Sequence, residues 1–180
     1  DQPENMNIYK NGAITAVDKT SQKVTIEWTV TVDLQNVPYA ELTKWDITDV
    51  IPADMQSIMQ LSSTVDPVVT LTKTDNSSVV LTKDTHYTLT RTDNYTQTVS
   101  LNMEAVRGAA DTCRQVKVVF TAEGTYTVGD QDTNTTFNNT AKNNYAYGEF
   151  EPEGTTNGNV NYQNKVSKKL STLEQNIYNA

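Results

Sequence analysis

Residues Lys23–Asp33, KVTIEWTVTVD, alternate without a break: Val24, Ile26, Trp28, Val30 and Val32 fall on one side, and Thr25, Glu27, Thr29 and Thr31 on the other. Successive side chains of a strand leave from opposite faces, so five consecutive matches to period two predict a strand with one buried and one wet face. The same reading predicts strands at Met6–Ala13, Trp45–Ile51 (closed by Pro52), Val68–Lys73, Ser78–Leu81, Tyr87–Thr92, Gln97–Met103, Gln115–Ala122, Thr136–Tyr147 and Asn159–Val166. Asp75-Asn76-Ser77, Asp93-Asn94 and Gly129-Asp130 read as turns. Helical turns are expected only at Ala53–Leu61 and Met103–Ala110. The stretch Phe150–Asn159, with Pro152, Gly154 and Gly158, reads as a surface loop. Many short strands at turn-length intervals specify an all-β sandwich or barrel. One sandwich is expected over residues 1–166, with 167–180 a linker or the start of a following module.

Composition narrows the function. The hydrophobic fraction is only 36%, but it is concentrated in the alternating runs, as half-buried sheet requires. A net charge of −8 argues against nucleic acid or an anionic membrane surface as partner. No run approaches 18 apolar residues, so no membrane-spanning helix is expected. The chain opens at Asp1-Gln2-Pro3 and reads as an excised mature fragment. Cys113 is the sole cysteine, so no intrachain disulfide can form. An extracellular β-protein of this kind needs another staple.

Three residues break the apolar-inside rule. In Lys44–Met55, KWDITDVIPADM, the face that carries Trp45, Ile47 and Ile51 also carries Asp49. In Met6–Ile14, Lys10 shares its side with Ile8 and Gly12. In Thr136–Asn143, Asn139 shares its side with Phe137 and Ala141, while Asn138 and Thr140 face outward. Each has an ordinary explanation: Lys10 reaching from an edge strand to water, Asp49 capping the turn before Pro52, Asn139 as an amide beside the ladder. Together they supply an amine, a carboxyl and a carboxamide to one interior. Burial favours the neutral amine and the protonated carboxyl. A protonated Asp49 bonded to the Asn139 amide oxygen polarises its carbon, the Lys10 amine attacks, and ammonia leaves. The product is an amide joining Lys10 to Asn139 across 139 − 10 = 129 residues.

The run Lys10-Asn11-Gly12, the Trp28-centred strand ending near Val32, Asp49 followed by Ile51-Pro52, and Phe137-Asn138-Asn139-Thr140-Ala141 resemble the A-type isopeptide domains of Gram-positive surface proteins. Those are the immunoglobulin-like modules of collagen-binding adhesins and pilins, with a K-x-G opening, a W-x-I/V-x-V strand, a D-x-L/I-P motif and a closing N-T-A. The match covers roughly residues 8–147. The resemblance implies an immunoglobulin-like β-sandwich in which Lys10 and Asn139 are the bonded pair and Asp49 is the assisting acid. A second asparagine, Asn138, adjoins the expected one, and strand parity selects Asn139. The implied role is a stalk or shaft module of a secreted, cell-wall-anchored protein. No turnover enzyme, cofactor or metal is implied. Its partners are neighbouring modules of the same protein and, in the rival reading as a ligand-binding adhesin domain, a host matrix protein or glycan. Tension enters near the first strand and leaves near the last, so the bond carries load past the sheet. A sortase-polymerised shaft needs a Tyr-Pro-Lys donor context, and the lysines at 165–169 lack it.

Other candidates carry less. Cys113 reads as an inert thiol, and His86 has no companion acid. Asp130, Asp132 and Asn134 start like a calcium loop, but Thr135 and Ala141 stand where an EF-hand needs Gly and Glu. Sequons at Asn76, Asn94, Asn134 and Asn138 arise readily from Thr and Asn richness. Tyr126, Tyr145, Tyr147 and Tyr162 are candidates for a binding face.

Overall fold

In the computed structural model, which describes residues 3–166, the alternating segment Lys23–Asp33 is one strand, and its five apolar side chains are all buried. It belongs to a six-stranded antiparallel sheet. That sheet runs β1 (Asn7–Asp18), β2 (Lys23–Asp33), β9 (Gln115–Thr125), β5 (Val68–Thr72), β6 (Ser78–Leu81), with β4 (Met59–Leu61) pairing farther along β9. The second sheet runs β11 (Glu153–Asn164), β10 (Thr133–Tyr147), β3 (Leu42–Val50), β8 (Thr96–Leu101), β7 (Tyr87–Asp93). Ile26, Trp28, Val30, Val118 and Phe120 of the first sheet and Trp45, Ile47, Phe137, Ala141 and Tyr145 of the second are buried in one core. Each large side chain contributes about 1.5–3 kcal/mol by leaving water. The fold class is therefore the expected all-β sandwich.

One helix, α1 (Met103–Ala109), falls where a helical turn was expected; Asn102 caps it, its side chain accepting from Ala105 N at 3.3 Å. Three expectations need correction. Ala53–Leu61 is helical only at Ala53–Met55, a 3₁₀ turn. Met59 and Leu61 then bury at period two against β9, which makes a strand of Met59–Leu61. β1 runs on to Asp18, because its ladder with β2 continues past a bulge between Ile14 and Ala16. The expected loop Phe150–Asn159 is mostly strand: β11 pairs with β10 continuously from Glu153 opposite Asn144 to Asn164 opposite Thr133. Backbone hydrogen bonds, not apolar alternation, define that strand, since only one of its positions is buried. The segment 167–180, expected to be a linker or a following module, lies outside the described residues.

Candidate functional site

The two sheets meet where β1, the edge of the first, packs against β10 and β11 at the edge of the second. Lys10 projects inward from β1 because the strand's period sends it to the same face as Ile8 and Gly12. Its side chain and that of Asp49 are fully buried, and Asn139 is 1% exposed. Asp49 pairs across the ladder with Ala141, so Asn139, two residues away on the same face, is its diagonal neighbour. The structure thus brings the three sequence candidates into one cluster.

The contacts are close. Lys10 Nζ donates to Asp49 Oδ2 at 2.8 Å and to the Thr140 carbonyl at 2.8 Å. Asn139 Nδ2 donates to both Asp49 oxygens, at 2.9 and 3.0 Å. Asn139 Oδ1 accepts from Thr140 N–H at 2.9 Å. A backbone N–H can meet only an acceptor, so the amide oxygen belongs at Thr140 and the amide nitrogen at the carboxyl. This corrects the expected arrangement, in which Asp49 bonds the amide oxygen. The carboxyl instead bridges two nitrogens, the Lys10 amine and the Asn139 amide nitrogen.

Burial sets the protonation states. It pulls the Lys10 ammonium below its ordinary value, against the opposing pull of Asp49, and lifts the Asp49 carboxyl above its ordinary value, against Lys10 and Asn139. Both shifts favour a neutral amine beside a protonated acid. The surroundings enforce dryness. Gly12 sits opposite Trp28 in the ladder, and a Cβ there would lie 2.5 Å from the indole ring, so the ring folds over the glycine. The Lys10 amine stands 5.5 Å from the centre of that ring. Such a cluster has the parts for acyl transfer from Asn139 to Lys10: nucleophile, proton carrier, and one N–H on the acyl oxygen.

Two inward polar residues of the predicted strands were missed. Gln97 lies directly opposite Asp49, is 2% exposed, and donates to Ser62 O at 2.8 Å. Asn143 is buried one step beyond Ala141 on the inner row and accepts from Trp45 Nε1 at 2.7 Å. Both stand on the inward row of a predicted strand, so the parity test that found Asn139 could have found them.

The remaining candidates take structural places. Cys113 is buried, its thiol pushed up to about 12 by desolvation. His86 accepts from Thr82 N at 2.8 Å and holds a turn. Tyr126, Tyr145 and Tyr147 are buried and so form no binding face, a correction to that expectation. Tyr145 and Tyr147 instead bond the segment before β1, through Met6 N and Glu4 O. Among the described residues no cluster of three or more His, Cys, Asp or Glu could hold a metal, and no helix is long and apolar enough to cross a membrane.

No family model matches the sequence, and no curated protein sequence matches it either. Solved structures do match by shape. BcpA, the major pilin subunit of Bacillus cereus, is 14% identical with a TM-score of 0.56 over 86% of this chain and 39% of its own. A 35 kDa C-terminal fragment of the major pilin GBS80 of Streptococcus agalactiae is 11% identical with a TM-score of 0.55, over 86% of this chain and 56% of its own. The Enterococcus faecalis MSCRAMM ACE, which binds its ligands by the collagen hug model, is 14% identical with a TM-score of 0.54, over 84% and 49%. The chain therefore spans from about two fifths to somewhat over half of these proteins. At such identities the likeness establishes the fold, an immunoglobulin-like β-sandwich of the kind found in Gram-positive pilins and adhesins.

Proposed function

We propose that this chain is a structural stalk or shaft module of a cell-wall-anchored Gram-positive surface protein, locked by a self-made amide between Lys10 and Asn139. The observation that carries the reading is the dry cluster in which one carboxyl touches both an amine and a carboxamide. The neutral Lys10 amine attacks the Asn139 side-chain carbon. Thr140 N–H steadies the oxygen as it gains charge. The protonated Asp49 delivers its proton to Nδ2, the carbon–nitrogen bond of the carboxamide breaks, ammonia departs, and the carboxylate so formed takes the proton that Nζ sheds. One amine and one carboxamide become one amide and one ammonia, once per molecule. Folding supplies the proximity, a contribution that reaches about 7–11 kcal/mol in well-oriented systems.

The bond joins β1 to β10, not to the last strand. β11 follows Asn139 and stays outside the ring, so the load path expected from sequence is shortened at its C-terminal end. The amide serves where a disulfide cannot, because Cys113 has no partner. Intact-mass measurement tests the reading: the protein is about 17 Da lighter than its sequence, the mass of one ammonia lost in acyl transfer. Asp49→Ala or Lys10→Ala restores the full value. A full-mass wild-type protein overturns the proposal.

A further inference from the structure

We infer that Gly158 is a positioning residue for the cross-link, holding the Lys10 backbone at the distance from which its amine reaches Asn139; the inference rests on the reading above. Gly158 is the only buried position of β11. It is the ladder partner of Asn139, so any side chain it carried would leave on the same inward face as the reacting carboxamide. A buried inward position normally takes an apolar side chain. Here the Lys10 backbone occupies that volume: a Cβ on Gly158 would lie 2.7 Å from the Lys10 carbonyl oxygen and 3.1 Å from both its carbonyl carbon and its Cγ. The backbone at Gly158 is not left-handed, so the requirement is for room and not for conformation. Gly154, four residues earlier on the same strand, makes no such demand, since a Cβ there meets only Ile8 Cγ2 at 3.5 Å.

β1 and β11 belong to different sheets and do not pair with each other. Their closeness at this point comes from the missing side chain, and it is what lowers Lys10 onto the second sheet. An alanine at 158 forces β1 away by roughly 0.7 Å to reach an ordinary carbon–oxygen contact. The amine then withdraws from hydrogen bonds of 2.8 Å to Asp49 and Thr140. Reactions that depend on near-attack geometry lose about 10- to 100-fold from a shift approaching 1 Å.

The test follows the closure in real time. Wild type, Gly158→Ala and Gly154→Ala are made by cell-free synthesis with a brief isotope pulse, and the ammonia loss is timed by intact mass. Circular dichroism at the assay temperature certifies that each is folded. Should Gly158→Ala be unfolded there, all three are timed again in a stabilising osmolyte. The expected result is closure at least 10-fold slower in Gly158→Ala and within 2-fold of wild type in Gly154→Ala. A residue that served stability alone would lower the unfolding temperature and leave the closure rate of the folded protein untouched. Closure of folded Gly158→Ala at the wild-type rate overturns this inference and leaves the cross-link standing. A wild type that never loses mass overturns the cross-link itself.

Discussion

Removing Lys10 and Asn139 singly and together measures the bond as a coupling energy. A link between residues 10 and 139 closes a loop of 139 − 10 = 129 residues. Chain statistics depend on the loop and not on the chemistry that closes it. At 25 °C a loop of that length removes about 5 kcal/mol of entropy from the unfolded ensemble. Each single variant loses the bond together with its own hydrogen bonds, Lys10→Met those to Asp49 and Thr140, Asn139→Ala those to Asp49 and Thr140 N. The cycle of wild type, Lys10→Met, Asn139→Ala and the double variant cancels those private losses and leaves the coupling. Non-covalent neighbours couple by about 0.5–3 kcal/mol, so a value near 5 stands outside that range. The assay is urea unfolding with linear extrapolation, and the matching thermal shift for a chain of this size is about 10–20 °C. A coupling inside the non-covalent range refutes the loop argument.

Burial, not Lys10, is the larger influence on Asp49, so Lys10→Met leaves a carboxyl that holds its proton in the folded state above its ordinary 3.8. Its stabilising contribution is full below that value and falls as pH rises through the folded pKa. The urea midpoint of Lys10→Met is therefore lower in mildly alkaline than in mildly acid buffer, and adding Asp49→Asn removes that extra dependence. Pulled from its ends, the cross-linked protein yields on the C-terminal side only 166 − 139 = 27 described residues, about 95 Å of contour, as β11 peels from β10. Asn139→Ala releases the 129-residue ring as well, about 450 Å more, and force spectroscopy separates the two lengths. Gly12→Ala, whose Cβ would press on Trp28 at 2.5 Å, costs about 1–3 kcal/mol by chemical denaturation. Gly108→Ala in the open on α1 gains about 0.5–1 kcal/mol, the helix-propensity difference.

Much of the architecture was legible where burial is one-sided. β2 and β3 announce themselves through Val24–Val32 and Trp45–Ile51, because a buried face forces alternation. The same parity placed Lys10, Asp49 and Asn139 inward, and their meeting follows from the strands that carry them. Legibility fails where backbone ladders do the work. The first half of β11 carries Pro152 at its threshold, two glycines and polar residues on both faces, which reads as a loop, whereas its second half, with Val160 and Tyr162 on one face, was legible within the predicted strand Asn159–Val166. β4 is three residues long, too short for a period to register. The orientation of the Asn139 amide depends on a neighbour's N–H, which no side-chain pattern reports. Gly158 matters through a volume it leaves empty, and only the approach of β1 reveals which chain fills it.

Tryptic mapping by tandem mass spectrometry addresses the Lys10–Asn139 bond itself. Trypsin does not cut after an acylated lysine, so the peptide that ends at Lys19 should retain Lys10 uncleaved and be joined to Val118–Lys142, with the fragment ions placing the link at Asn139. Recovery of Val118–Lys142 as a free peptide, together with cleavage after Lys10, contradicts the account.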